Sequence, residues 1–293
     1  MKRSVVVVVA LGILGLVHLA TISASGAQQA LFEEHFDTDA FLKAPTTYIQ
    51  GLSSHMIADD TLLPFYVRDG KLTSNPVDGD GDGSDGTGAN NINADPPGVP
   101  FQILFGDKTW ADVSLQARVY SDSGNTGSFG LILRAAPKTK PADPDTWYEF
   151  QYTTANSVTG DTTPTDECLQ IDEKNSGIEA PDVVPNLRIL KAVKNKYTLL
   201  AETDFNKSTV HIPEINTVGY DHDTNHDGSG TPTGAYFRFV AKGNVLQAFC
   251  SIDGVTFNKY LEVTDGELTA GVAGLTHCEY PPVFDDLLVA TAP

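Results

Sequence analysis

The sequence predicts an all-β protein built as a two-sheet antiparallel jelly-roll sandwich with long polar loops. Three observations support this prediction. No long amphipathic helical pattern occurs, short strand-like runs recur between clusters of Gly, Asn, Asp and Pro, and apolar and polar residues alternate clearly along residues 113–120. Many short strands separated by turn signals are typical of sandwiches and barrels.

The individual strands are predicted from apolar alternation between turn signals, in chain order. They cover residues 31–36, 65–68, 71–74, 101–105, 113–120, 128–135, 147–153, 168–171, 187–192, 198–203, 209–212, 236–241, 245–252, 259–263, 271–275 and 283–290. The polar stretches 76–98, 154–166 and 217–234 are predicted to be long loops on one body, since no linker divides the chain.

The amino terminus has the layout of a secretory signal peptide. Lys2 and Arg3 precede an apolar run, and the small residues Ser25-Gly26-Ala27 follow it. The run is short for a membrane span. We therefore expect residues 1–27 to be removed on export, and residues 28–293 to form one secreted domain, extracellular or periplasmic.

The charge of the chain limits its partners. A formal net charge of −19 argues against nucleic acid, whose phosphates need Lys and Arg, and favours solubility and cation binding. Three cysteines allow at most one internal disulfide. Cys250 points to the same face of its strand as the apolar residues and is expected to be a buried free thiol. If a disulfide forms, Cys168 and Cys278 are therefore the expected pair.

Residues 128–152 contain the candidate binding site. Apolar residues occupy alternate positions of both strands in this stretch, so Arg134, Glu149 and Gln151 point to the opposite face. Trp147, at the start of the second strand, points to the same face as Glu149 and Gln151. These four residues are predicted to share one surface that binds a polyhydroxylated ligand. The alternative is a solvated face with an ordinary Arg–Glu pair. If Arg134 meets Glu149, the carboxyl should stay ionised, which favours binding over acid catalysis.

Two acidic loops have the oxygen spacing of calcium sites. Their candidate ligands are Asp78, Asp80, Asp82 and Asp85 in the first loop and Asp223, Asn225 and Asp227 in the second. Hard oxygen ligands in Gly-rich turns favour Ca²⁺, although the closing Glu of an EF-hand is missing from both. For the first loop, the alternative is a flexible acidic linker. For the second loop, which contains two histidines, the alternative is a zinc site.

Motifs for other chemistries are missing from the sequence. It has no Gly-x-Ser-x-Gly elbow, no His-Glu-x-x-His motif and no phosphate-binding loop with Lys-Ser or Lys-Thr. The carboxylates Glu167, Asp172 and Glu173 do not have the spacing of a Glu-x-Asp-x-x-Glu catalytic strand. Glu149 is therefore the candidate catalytic residue if the protein is an enzyme.

Several motifs follow one another in a recognisable order, in segments 31–37, 67–73, 106–118, 128–134, 147–151, 253–254, 271–275 and 284–289. This order resembles the concanavalin A-like lectin/glucanase superfamily, and within it the secreted 3-keto-disaccharide hydrolase-like group. The resemblance implies two curved antiparallel sheets, pairing of the first and last strands, a ligand on the concave face, and site positions at Arg134, Glu149 and Gln151. No second carboxylate carries over from the family.

Three functions are compatible with these observations. The first is a secreted carbohydrate-binding sandwich with calcium-ordered loops that takes a polysaccharide or oligosaccharide. The second is a glycoside hydrolase with Glu149 as acid or base, for which a second carboxyl at roughly 5–10 Å is required. The third is a structural protein of surface assemblies, for which an exposed apolar patch is expected.

Overall fold

The computed structural model describes residues 28–50, 65–74, 101–121, 128–139, 146–154, 185–194, 196–203, 234–278 and 282–293. Described residues form fifteen strands and one turn of 3-10 helix, Phe41–Lys43. The strands are β1 (Ala30–Glu34), β2 (Thr47–Gln50), β3 (Phe65–Arg68), β4 (Lys71–Ser74), β5 (Phe101–Phe105), β6 (Val113–Ser121), β7 (Ser128–Ala135), β8 (Thr146–Thr154), β9 (Pro185–Val193), β10 (Lys196–Glu202), β11 (Ala235–Lys242), β12 (Val245–Ser251), β13 (Asn258–Thr264), β14 (Val272–Cys278) and β15 (Pro282–Thr291).

The strands form two antiparallel sheets. The eight-stranded sheet has the order β13-β12-β11-β6-β15-β4-β3, and β1 also pairs with β15. The seven-stranded sheet has the order β10-β9-β8-β7-β14-β5-β2. The predicted antiparallel sandwich is therefore confirmed, as is the pairing of the first strand with the last.

The core lies between the inner faces of the two sheets. Alternation along β6 buries Val113, Leu115, Ala117 and Val119, as the sequence pattern predicts. Aromatic rings cross the gap: the Phe129 ring of the seven-stranded sheet lies 4.9 Å from the Phe237 ring of the eight-stranded sheet, edge to face. Cys250 is fully buried in this core, as expected.

The seven-stranded sheet is also buried on its outer face, which points away from the other sheet. A second apolar cluster there draws every described member from this one sheet: Tyr48, Leu104, Ile132, Ala135, Trp147, Ala192 and Val272. A sheet buried on both faces holds its polar side chains in fixed positions, and the candidate site lies on this outer face.

Strand boundaries agree with the sequence predictions to within three residues at each end. The four-residue strand β2 was not predicted. The predicted strands 168–171 and 209–212, the expected signal peptide 1–27, Cys168 and both acidic loops lie outside the described residues. Among the residues that are described, no helix is long and apolar enough to cross a membrane.

Candidate functional site on the outer face of the seven-stranded sheet

Strand β8 supplies three of the four predicted site residues. Tyr148, Phe150 and Tyr152 pack into the inner core. Alternation places Trp147, Glu149 and Gln151 on the outer face, where hydrogen bonds join them. The indole Nε1 of Trp147 donates to Glu149 Oε2 over 3.3 Å, and the amide Nε2 of Gln151 donates to Glu149 Oε1 over 3.4 Å.

The registers of the neighbouring strands extend this set into a row that crosses the sheet. We define the polar row as Arg188, Gln151, Gly130, Thr276 and Gln102. Each member pairs directly with the next, from β9 through β8, β7 and β14 to β5. Because paired residues of adjacent strands point to the same face, these side chains form one line on the outer face.

Three uncharged atoms of the polar row are buried without a partner; the fourth buried atom of the row without a hydrogen bond, Arg188 Nε, faces Glu202. Within the described part of the chain, Gln102 Nε2, Gln151 Oε1 and Thr276 Oγ1 form no hydrogen bond. Their residues are only 2%, 3% and 2% exposed. A buried polar atom without a hydrogen bond costs about 1–3 kcal/mol. Three such atoms in one line therefore indicate a place where water or a ligand completes the hydrogen bonding.

Arg188 ends the row differently. Its guanidinium Nε lies 3.6 Å from Glu202 Oε2 on the edge strand β10, and the two residues are paired in register. The charge of Arg188 is therefore directed toward the sheet edge. Glu202 is a second carboxylate on the described outer face. It lies on β10, two strands away from Glu149 on β8.

The carboxyl of Glu149 lies over the middle of the polar row. Glu149 is 5% exposed, and burial raises its pKa to about 7, whereas the hydrogen bonds from Trp147 and Gln151 act to lower the pKa. Burial outweighs the two hydrogen bonds because both are long. Arg134 is not among the causes of this pKa, so the contact that was expected to keep the carboxyl ionised does not form.

Gly130 makes room for the carboxyl. A Cβ at this position would lie 2.4 Å from Glu149 Oε1 and 2.8 Å from Thr276 Cγ2. Both distances are shorter than any tolerated contact, so the absent side chain lets Glu149 lean across β7. The carboxyl consequently lies between Gln151 on one side and Thr276 on the other.

Arg134 does not share this surface, which corrects the prediction from alternation. Its φ is +54°, and the register between β14 and β7 shifts between Val272 and Gly274. This β-bulge places Ile132 and Ala135, three residues apart, in the same outer cluster. Arg134 is thereby turned to the inner side of the sheet.

The guanidinium of Arg134 is committed to the main chain. Its Nε, NH1 and NH2 groups donate to the carbonyl oxygens of Ala111, Leu268 and Gly243 over 3.0, 2.8 and 2.8 Å. Asp112 lies 3.6 Å away. These carbonyls belong to three connections at one end of the sandwich. We therefore leave Arg134 out of the site and assign it a structural role.

The predicted calcium ligands lie outside the described residues. Among the residues that the structure describes, no group of three or more His, Cys, Asp or Glu side chains could hold a metal ion. Asp78, Asp80, Asp82, Asp85, Asp223, Asn225 and Asp227 therefore remain predictions from the sequence.

Thr276 and Gln102 were missed by the sequence analysis. Both occupy the outer phase of strands whose inner phase is apolar, so alternation could have marked them as outward-facing. The predicted strand 271–275 stopped one residue before Thr276, however. Thr276 and Gln102 lie near Gln151 only because strands that are far apart in the chain pair with one another. A local sequence pattern does not encode that pairing.

Comparisons with known proteins give likeness to solved structures only. No family model and no curated protein sequence matches the chain. A Bacillus subtilis protein of unknown function with a galectin-like fold has 11% identity and a TM-score of 0.47, covering 90% of this chain and 98% of that one. The lumenal domain of VIP36, in a form bound to Ca²⁺ and Man3GlcNAc, has 10% identity and a TM-score of 0.45, covering 85% of each chain.

The carbohydrate-binding module CBM66 from Bacillus subtilis is more distant. It has 11% identity and a TM-score of 0.40, and the match covers 66% of this chain and 82% of that chain. At these identities and TM-scores the neighbours give no information about function.

Proposed function

We propose that the protein binds saccharides on the outer face of the seven-stranded sheet. The observation that carries this proposal is the polar row, in which buried amide and hydroxyl atoms lack partners beside the carboxyl of Glu149. The proposed binding residues are Gln102, Trp147, Glu149, Gln151 and Thr276.

The chemistry of these groups fits a polyhydroxylated ligand. Gln102 Nε2 can donate, Gln151 Oε1 can accept, and Thr276 Oγ1 can do both. Sugar hydroxyls also donate and accept, so one ligand can satisfy all three. The row crosses four strands from β5 to β8, which at ~4.8 Å per strand spans about 14 Å. This is about the length of a short oligosaccharide.

A glycan array tests the proposal. The protein should bind a defined group of saccharides, and Glu149→Gln should weaken that binding while the far-ultraviolet circular dichroism stays unchanged. Glu262→Gln is the matched control because Glu262 is an exposed residue of the eight-stranded sheet. An array without any hit, or equal binding by Glu149→Gln, contradicts the proposal.

A glycoside hydrolase is the second candidate function, because a buried carboxyl with a pKa of about 7 suits a general acid. It also needs a second carboxyl, and Glu202 is engaged by Arg188 two strands away from β8. Product analysis of each array hit decides between the two. Products that Glu149→Gln no longer releases would favour the enzyme, whereas unchanged saccharide favours binding.

We also propose export and calcium-ordered loops, both supported by sequence motifs. Calcium bound by loops 78–85 and 223–231 would raise stability by mass action, by about 2.7 kcal/mol at a hundredfold excess over its Kd. Chelation should therefore lower the melting temperature. Elemental analysis that finds no calcium, together with an unchanged melting curve, contradicts calcium binding.

Export is tested separately. A secreted product that still carries residues 1–27 contradicts signal-peptide removal.

A further inference from the structure

We propose that the site selects saccharides that carry a protonated primary amine, such as oligomers of glucosamine. This inference rests on the proposed saccharide-binding function and names the ligand class. It follows from two observations on the outer face: a buried carboxyl without a cation, and unpartnered acceptors on both sides of it.

Three cations of the seven-stranded sheet whose side chains the structure describes are engaged elsewhere. Arg134 donates to three main-chain carbonyls on the inner side, and Arg188 lies against Glu202 at the sheet edge. Lys191 pairs with two carboxylates of the β13–β14 connection over 2.6 and 2.9 Å. In the described residues no Lys or Arg forms an ion pair with Glu149. A buried carboxylate without a cation is costly, so a ligand that brings a cation is favoured.

The acceptors around Glu149 match the donors of an ammonium group. A primary ammonium has three N–H donors and no acceptor. Glu149 Oε1 lies over Gly130, and the unpartnered Gln151 Oε1 and Thr276 Oγ1 belong to the residues paired with Gly130 on either side. An ammonium that reaches the Glu149 carboxyl would therefore bring three donors to a place where two further acceptors, Gln151 Oε1 and Thr276 Oγ1, have no hydrogen-bond partner. Gln102 Nε2, one strand further, remains to donate to a hydroxyl of the same saccharide.

The pH dependence separates an amino sugar from a neutral sugar. An amino sugar favours ionised Glu149, so its affinity should rise as pH increases toward 7, while the amine is still protonated. A neutral sugar only removes water from the carboxyl and favours the protonated form, so its affinity should fall. Adjacent strands add no further titratable group, because β7 presents Gly130 and Ile132, and β9 presents Leu190 and Arg188, whose charge Glu202 holds.

The experiment is calorimetric titration of the protein with two matched ligands. One is a glucosamine oligomer, and the other is the same oligomer with every amine acetylated. We expect the amine form to bind at least about tenfold more tightly at pH 6.5, since it adds a charge-assisted hydrogen bond to each acceptor. Glu149→Gln should abolish the preference, and Thr276→Val should reduce it.

Glu262→Gln controls for bulk attraction, because the chain is strongly acidic and the variant removes the same charge from an exposed site. An equal loss of preference in Glu262→Gln overturns the inference as general electrostatic attraction. Equal binding of both oligomers, or binding of the acetylated form alone, also overturns it but leaves the proposed saccharide binding in place. No binding of either oligomer or of any array glycan removes both proposals.

Discussion

Glu149 is subject to opposing influences on its pKa. Burial raises the pKa to about 7, and the donors from Trp147 and Gln151 lower it less, because they are long and uncharged. The carboxyl therefore titrates much closer to neutral pH than an exposed glutamate does. A ligand that prefers the ionised or the protonated form can therefore change the charge of Glu149. For this reason Glu149 is central to both proposals.

Trp147 reports on this titration, because its indole N–H contacts the carboxyl directly. The chain has two tryptophans, so intrinsic fluorescence should change with pH with a midpoint at about 7. Glu149→Gln should lose this transition, and Glu262→Gln should keep it. A midpoint near 4.5 in the unmodified protein, or an identical transition in Glu149→Gln, would show that burial does not control the carboxyl.

Arg134 should matter for stability and not for binding. Arg134→Ala removes three hydrogen bonds between a buried guanidinium and main-chain carbonyls, and we expect the free energy of unfolding to fall by about 3 kcal/mol or more. Arg134→Lys should recover only part of the loss, because a single ammonium cannot reproduce the planar fork. Chemical denaturation measures both effects.

Arg68→Ala is the control for Arg134, since the Arg68 side chain is 73% exposed and should change stability by less than about 0.5 kcal/mol. If Arg134→Ala keeps normal stability but loses saccharide binding, Arg134 belongs to the ligand site and the structural assignment is wrong.

At the scale of single strands, alternation predicted the faces of β8 correctly and failed at one position of β7. Trp147, Glu149 and Gln151 face outward in an uninterrupted strand. Arg134 follows a regular alternation in sequence, but a bulge with positive φ adds one residue to its strand and reverses its direction. Nothing in the local pattern announces the bulge, because Arg is not a residue that favours positive φ.

Gly130 should be intolerant of any side chain. In Gly130→Ala the new Cβ would meet Glu149 Oε1 at 2.4 Å, so the carboxyl must leave the polar row. We expect saccharide affinity to fall by at least about tenfold and stability by about 1–3 kcal/mol. Calorimetric binding and denaturation curves measure the two effects.

A double-mutant cycle checks the cause. Glu149→Ala removes one of the clashing groups, so Gly130→Ala should cost less stability in that background. Gly266→Ala is the control, since the nearest atom there, Asn244 Cβ, is 3.3 Å away. Full affinity in Gly130→Ala would mean that the carboxyl position over β7 is unimportant for binding.

At the scale of the whole molecule, the sequence predicted the two-sheet architecture but not the site's composition. Long alternating strands such as β6, β7 and β8 are readable because one face is apolar. The four-residue strand β2 is too short for such a pattern. The polar row depends on the order β9-β8-β7-β14-β5, which is set by packing between distant segments. Sequence reasoning therefore found Glu149 and Gln151 but not Thr276 and Gln102.

Two buried groups whose pKa values shift in opposite directions, His277 and Glu149, contribute to how stability depends on pH. Burial lowers the pKa of His277 to about 3, so its contribution to stability is present above 6.5 and is lost as pH falls. Burial raises the pKa of Glu149 to about 7, so its contribution is present below 4.5 and is lost as pH rises. Between pH 4.5 and 6.5 the two slopes are opposite, each about 1.4 kcal/mol per pH unit, and should cancel.

Glu149→Gln should uncover the contribution of His277. Its free energy of unfolding should exceed that of the unmodified protein at pH 7 and fall by about 1.4 kcal/mol per pH unit between 6.5 and 4.5. Urea denaturation at three pH values across this window measures the slope. Glu262→Gln should follow the unmodified protein. A flat profile in Glu149→Gln would contradict the burial of a neutral His277.

The most direct test of the central claim is a crystal structure of the protein with a saccharide identified on the array. The account predicts that the sugar lies across β8, β7 and β14 over Gly130, in contact with the Glu149 carboxyl and with the side-chain polar atoms of Gln151 and Thr276. A sugar bound to the eight-stranded sheet or to a loop, with only water along the polar row, would contradict it.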